Sequence, residues 1–339
     1  MIIRKKLEED EKKYLSDYAT FSMNSKGRET AEVECDIRTV FQRDRDRILH
    51  SKSFRRLKDK TQVFLTPDGD HYRTRLTHTL EVSQNARTIA KALRLNEDLV
   101  EAIALGHDLG HTPFGHAGER ALNNILLARV GMRFCHNEQS LRTVEVLEKN
   151  GHGLNLTFEV RDGILNHQTS LTPSTLEGKI VRLSDKIAYM YHDMDDAIRG
   201  GILVERDIPY DICKVLGNKT KDRLDYMIHD IIINSYEQGD IKMSKECEKA
   251  MFELRDFMFT NVYRNKIAKA EEDKAEQLII ALFEYYLNNM HRLPEEYTDR
   301  MERLGESNER TVADYVGAMT DRFAISLYEE LMVPKSWHI

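Results

Sequence analysis

The chain is starved of the residues that interrupt helices. Its 339 positions hold 17 glycines and 6 prolines, about 7% of the chain against the roughly 12% of average usage. Sandwiches, collagen-like rods and loop-rich scaffolds need those residues for positive φ, tight turns and edges, so their scarcity favours long helices. Apolar residues at 41% and charged residues at 32% exclude a chain too polar to bury a core. The apolar stretch Leu278–Phe283 is six residues, far from the roughly 18 that cross a bilayer. The N-terminal MIIRKKLEEDEKKYL carries charge where a secretory leader needs an apolar stretch. Four scattered cysteines (Cys35, Cys135, Cys213, Cys247) form no CxxC pair, which excludes the zinc-ribbon spacing. These features lead us to expect a cytoplasmic protein with reduced thiols and no membrane partner.

Apolar periodicity predicts helices over 76–93, 96–108, 117–130, 137–149, 157–167, 175–199, 219–238, 245–264, 271–290 and 309–332. Asn96 is the expected N-cap of the second, and Gly200-Gly201 the stop after 199. Ile37, Val40, Phe41, Ile48, Phe54 and Leu57 extend the helical spacing upstream. TQVFLT, Pro67-Asp68-Gly69-Asp70 and HYRTR read as two short strands around a turn. The expected fold class is all-α with one small β-hairpin. Aromatic and Met residues at Met251, Phe252, Phe257, Met258, Phe259 and Tyr263 read as helix core. Tyr285, Tyr286, Tyr315 and Trp337 read the same way, or as subunit contacts.

Charge is uneven. The net charge is −7, yet Arg38–Lys60 carries nine Lys/Arg against three Asp, a surplus of +6. Such a block attracts a polyanion, either nucleotide phosphates or a nucleic-acid backbone. The other reading is a solvated helix face laced with ion pairs.

Histidine carries the chemistry. His107, His111 and His116 fall within ten residues, and His107-Asp108 closes an apolar helix. An ionisable pair there is costly to bury unless paired or metal-bound. Imidazole and carboxylate donors suit Mn, Fe, Co, Ni or Zn, and carboxylates with open water positions also admit Mg. His78, opening its helix, and Asp185, two turns into another, would complete two histidines and two carboxylates on one ion. The remaining positions are then free for water and a phosphate oxygen.

His78, His107-Asp108 and Asp185 resemble the H…HD…D pattern of the HD superfamily of metal-dependent phosphohydrolases. FQRDRDRILHSKSFRRLKDKTQVF (41–64), RTRLTHTLEVSQNARTIA (73–90), GHDLGHTPFGHAGE (106–119) and HNEQSLR (136–142) resemble the deoxyguanosine triphosphate triphosphohydrolase-like family. The similarity is strong over about 20–200 and looser beyond. It implies an HD-domain helical core over 1–205 with an additional C-terminal helical region, 206–339, packed on it. It implies hydrolysis of a deoxynucleoside triphosphate to deoxynucleoside and inorganic triphosphate, and a homo-oligomer.

The resemblance also assigns residues. One divalent ion per subunit is expected on His78, His107, Asp108 and Asp185. His116 matches the catalytic histidine that protonates the leaving 5′ oxygen, and Glu119 the acid that orients it. Arg75 matches a phosphate-binding arginine, and Lys186 is placed to meet the triphosphate. Tyr189 and Asp193 match positions that hold the sugar 3′-OH and crowd the 2′ position; Gln62 matches a sugar and base-edge contact. His111 and His136 match histidines near the phosphates, with Arg28 a further candidate. His71, His152, His167, His192, His229, His291 and His338 have no ligand-like partners at suitable spacing, and His192 reads as a site wall or surface residue. Two alternatives stand beside this reading: another HD-type nucleotide phosphohydrolase, and a nucleotide-sensing or single-stranded nucleic-acid-binding protein using Arg38–Lys60.

Overall fold

The computed structural model describes residues 3–62, 73–263 and 266–335, and its regular structure is helical. The described extended pairings are two isolated antiparallel bridges, Arg28 with Thr157 and Thr61 with Thr74. The expected hairpin turn at Pro67–Asp70 lies outside the described residues, as does Trp337.

An N-terminal helix that periodicity did not announce, α1 (Ile3–Tyr14), leads into α2 (Val40–Leu49) and α3 (Lys52–Arg56). Thr39 and Gln42 open α2 with a reciprocal capping box, and Ser51 starts α3 anew by accepting from the Phe54 amide at 3.1 Å. Then come α4 (Arg75–Ala92), α5 (Glu97–Gly106), α6 (Gly115–Val130) and α7 (His136–Arg142). Asn96 caps α5 as expected, accepting from the Leu99 amide at 3.2 Å. The helix expected over 137–149 ends early in a wide turn, Thr143–Leu147, and the distorted α8 (Glu148–Gly151). Glu148 is drawn to the amides of Lys52 and Ser53, at 3.1 and 2.7 Å, and Gly151 and Gly153 at φ 85° and 70° turn the chain away.

Next are α9 (Phe158–Leu165), α10 (Leu176–Arg199), α11 (Tyr210–Leu216), α12 (Thr220–Ser235), α13 (Lys245–Met258), α14 (Lys266–Asn288) and α15 (Glu295–Leu304). The expected 309–332 helix is instead α16 (Asn308–Gly317) and α17 (Asp321–Met332), because Thr320 caps the Phe323 amide at 3.2 Å.

Helix α5 is buried at Leu99, Val100 and from Ala102 to Gly106, and packs against α2, α4, α9 and α10. A helix so largely apolar belongs at the centre of a core. It meets α9 closely because each helix offers a glycine to the other's isoleucine. A Cβ at Gly106 would stand 2.6 Å from Ile164, and one at Gly163 would stand 2.5 Å from Ile103. A second apolar cluster joins α6 to α14, α16 and Phe134.

The basic segment is spent locally. Arg38 pairs with Asp46, Arg45 with Asp98 and Glu101 at 3.2 Å each, Arg47 with Glu32, and Lys52 with Glu296 at 3.2 Å. Lys60 is buried and donates to the carbonyls of His111 and, at 3.0 Å, Gly317. Of the two readings of Arg38–Lys60, these contacts fit the ion-paired face. Arg28 is likewise committed, to Asp44 and to the carbonyls of Asn155 and Val40, so it braces the N-terminal segment and is not open to phosphate. Asp321 binds two distant amides, Thr61 and Phe114, at 3.0 Å each.

Gly110 lies against the backbone of α7, where a Cβ would stand 2.1 Å from the Ser140 nitrogen and 2.3 Å from the Gln139 carbonyl carbon. Neither neighbour is a flexible side-chain end. Gly110→Ala is therefore expected to destabilise the fold by about 1–3 kcal/mol, read as a lower urea midpoint at unchanged slope.

Candidate metal centre and active site

Two helix ends create the site. The last carbonyls of a helix lack partners within it. At the end of α5 the His107 Nδ1–H donates to the Ala104 carbonyl at 2.7 Å, and beyond α9 the His167 Nδ1–H donates to the Ile164 carbonyl at 2.7 Å. A carbonyl only accepts, so each Nδ1 carries the proton and each Nε2 is a lone pair. The close α5–α9 contact brings the two ring centroids to 5.1 Å.

His78, in the first turn of α4, and Asp185, midway along α10, complete the expected set. His78 Nε2 is 3.1 Å from Asp185 Oδ1 and 3.7 Å from Asp108 Oδ2. His107 Nε2 is 3.5 Å from Asp108 Oδ1 and 3.7 Å from Asp185 Oδ1. Donors about 2.1 Å from one ion stand roughly 3 Å apart when adjacent and about 4.2 Å when opposite. The separations from each imidazole to the two carboxylates, 3.1–3.7 Å, fall in that range. His78, His107 and Asp108 are buried, with donor atoms all within 4.8 Å of one another.

The decisive atom is His107 Nε2, buried and without a hydrogen-bond partner among the described residues. An unprotonated nitrogen facing two carboxylates is repelled unless a cation stands between them, so the residues fit a divalent ion. Without one, a proton takes the place. Burial opposes the His107 imidazolium, but Asp108 and Asp185 outweigh burial and push it up to about 9. Burial likewise works against both carboxylates, yet the neighbouring histidines, with Arg75 for Asp108, hold them well below the usual range.

His116 and Glu119 meet, as their spacing led us to expect. His116 Nδ1 is 3.1 Å from Glu119 Oε2, and the imidazole is largely exposed. Glu119 also accepts from the His136 amide at 2.8 Å and from His136 Nδ1 at 3.0 Å. Burial pushes the Glu119 carboxyl up, but the bonds from His116 and His136 outweigh it and hold it well below the carboxylate range. His111 stacks on His136, centroids 4.1 Å apart and rings 13° from parallel, with Nε2 3.3 Å from Asp108 Oδ1.

Other expected residues divide. The Arg75 guanidinium is buried and bound to Asp108 Oδ2 at 2.8 Å and the Gln62 carbonyl at 3.3 Å, so it neutralises a ligand carboxylate as placed. The Gln62 side-chain oxygen is buried without a partner among the described residues. Lys186 is buried, and burial with Arg182 lowers its ammonium. Tyr189 is half-buried on the main core. Burial pushes Asp193 up to about 8 although Tyr263 donates to it.

Three residues escaped the sequence reading. Tyr263 packs against the main core as expected but also bonds Asp193. His192, fully buried, pairs its Nε2 with His78 Nδ1 at 2.8 Å. His167 shares a possible ligand group with Asp108 and His136. Only the helix-end position of His167 was a usable signal.

Comparison with known proteins agrees with this geometry. The HD domain family model matches residues 75–190, and the phosphohydrolase-associated domain model matches 241–330. The helical fold and its His/Asp cluster thus define an HD-domain protein. A deoxyguanosinetriphosphate triphosphohydrolase-like protein of Caldanaerobacter subterraneus subsp. tengcongensis is 56% identical over 337 residues, covering 99% of this chain and 98% of its own. Proteins of the same name from Clostridium perfringens and Desulfatibacillum aliphaticivorans are 49% and 47% identical, each covering at least 98% of both chains. This chain belongs to the deoxyguanosinetriphosphate triphosphohydrolase-like family. Among the described residues no helix is long and apolar enough to cross a membrane.

Ion and proton compete for His107 Nε2, so binding below about pH 9 displaces a proton. Mn²⁺ affinity is expected to rise with pH, up to about tenfold per unit, and to level above about 9. Titration calorimetry in buffers of different ionisation enthalpy measures both the affinity and the released proton.

Proposed function

We propose that this chain hydrolyses deoxynucleoside triphosphates to deoxynucleoside and inorganic triphosphate, using one divalent ion on His78, His107, Asp108 and Asp185. The observation that carries the reading is the unpartnered His107 Nε2 facing two carboxylates, beside an exposed imidazole backed by Glu119. When bound, the ion supplies Lewis-acid polarisation of the α-phosphate.

The chain's own groups do the rest. The departing 5′ oxygen needs a proton, and His116 is the group open to solvent and substrate that holds one. Glu119 remains anionic and accepts the His116 Nδ1–H, which holds the ring and leaves its other nitrogen for the proton transfer. His111 and His136 line the phosphate side, Lys186 adds a point charge, and Arg75 reaches phosphate only by sharing itself with Asp108. Tyr189 and Asp193, with Tyr263 behind Asp193, crowd the sugar and hold its 3′-OH. Gln62 has an oxygen free to accept from the sugar or base. We take the protein to be cytoplasmic and a homo-oligomer, with Mn the first ion to try.

The test is to incubate the protein with Mn²⁺ and each of the four dNTPs and separate the products. Inorganic triphosphate is expected; pyrophosphate or orthophosphate overturns the reading. His116→Ala is expected to reduce kcat by about 10²–10⁴ with metal content intact, whereas Asp185→Ala loses both. Equal metal loss in the two variants rejects the division of roles.

A further inference from the structure

Packing does not hold His116. Its side chain is 66% exposed, and its hydrogen-bond partner among the described residues is Glu119, on the same helix. Where the pair stands relative to the ion's ligands therefore depends on how the chain runs from the end of α5 into α6. That run is unusual. An N-cap is ordinarily an extended residue whose side chain accepts a bond from the helix. Phe114 caps α6 instead from the left-handed region, at φ 60° and ψ 25°, with no side-chain bond, and Gly115 follows at φ 54°. A bulky L-residue rarely adopts that backbone. It persists where the surroundings impose it, and such positions cluster at functional sites.

The surroundings that impose it are specific. The Phe114 amide donates to Asp321 Oδ1 at 3.0 Å, and Asp321 Oδ2 accepts in turn from the Thr61 amide at 3.0 Å. Asp321 is buried and opens α17, directly behind the Thr320 cap. Upstream, the His111 carbonyl accepts from the buried Lys60, whose Nζ also donates to the Gly317 carbonyl at 3.0 Å. Lys60 and Asp321 thus hold the two ends of one loop, the first by a carbonyl and the second by an amide. Between them the loop has no slack. A Cβ at Gly118 would stand 2.2 Å from the Pro113 carbonyl oxygen, and one at Gly115 would stand 3.2 Å from an Arg75 nitrogen. The last fixed point before His116 is the Phe114 amide.

We propose that Asp321 is a positioning residue for the proton donor: through the Phe114 amide it holds the left-handed turn that aims the first turn of α6, and so sets where His116 stands. The inference rests on the role given to His116 above and deepens it. A carboxylate suits the task, because each of its oxygens takes one of two N–H donors. The Thr61 bond keeps the carboxylate itself from turning away. Asp321 lies 207 residues beyond Phe114, inside the segment 241–330 that matches the phosphohydrolase-associated domain. That segment therefore acts on the chemistry through one backbone amide.

The test is a double-mutant cycle on the Mn²⁺-loaded protein. Asp321→Ala is expected to lower kcat for dNTP hydrolysis by about 10–100-fold, with bound Mn unchanged and KM moving less than kcat. In a His116→Ala background the same substitution is expected to cost no further kcat, because the group it positions is gone. An equal fold-loss in both backgrounds makes Asp321 structural only and overturns the proposal. Asp321→Asn keeps the shape but sets an NH₂ against one of the two N–H donors. It is expected to retain more activity than alanine, and it carries the cycle if the alanine variant fails to fold. A second readout needs no turnover. In Mg²⁺-loaded protein with isotope-labelled histidine rings, the His116 resonance is identified by its absence in His116→Ala. It is expected to shift in the Asp321 variants while that of His229 on α12 stays. An unmoved His116 resonance overturns the proposal. A wild type that hydrolyses no dNTP, with the shift present, overturns the function above and leaves the positioning standing.

Discussion

Among the described residues Asp185 faces two histidines, His78 and His107, and the second presents a lone pair. That uncompensated charge organises the centre of the molecule, because removing a carboxylate from water carries an effective penalty of several kcal/mol. Three buried acids elsewhere in the protein are fully answered, whereas Asp193 has the Tyr263 hydroxyl. Asp44 is held by Arg28 and by the amide and hydroxyl of Thr157; Glu177 by Thr20 and the Asn96 amide; Asp314 by Arg142, Arg300, Arg310 and Gln139. Those three acids brace the fold. Asp108 and Asp185 are the pair left with room for something further, and an ion that binds only the folded chain stabilises it by mass action.

The geometry that creates this pair is simple. Two glycines let α5 and α9 touch, and two histidines finish the helices by satisfying carbonyls that would otherwise lack donors. The bond that caps the helix is the same bond that fixes the tautomer. Local backbone accounting and metal chemistry thus use one set of atoms, which is why these imidazoles can be rigid without a dedicated scaffold. His192 extends the scheme to His78, with one ring bracing another.

Much of this was legible in the sequence. Few glycines and prolines, apolar spacing and the cap Asn96 placed most helices within a turn of where they lie. The HD dipeptide with His78 and Asp185 was readable because the flanking words are specific. Helix breaks at Ser51 and Thr320 were missed because a capping hydroxyl inside an apolar pattern resembles an ordinary helical residue. His167 and Tyr263 were missed for a different reason: their partners lie 59 and 70 positions away, at Asp108 and Asp193. The charge of Arg38–Lys60 was counted correctly, but counting could not show that acids such as Asp98, Glu101 and Glu32 answer it.

The C-terminal helices are stitched into the loop between α5 and α6. Asp321 at the head of α17 takes the amides of Thr61 and Phe114, while Lys60 joins the carbonyls of His111 and Gly317. These bonds make the Gly110–Phe114 loop and the far end of the chain one opening unit, since freeing either strands buried donors in the other. Amide exchange at α17 is then a remote gauge of how firmly the loop is held, and the last helices act as its clamp instead of an accessory that could be trimmed away.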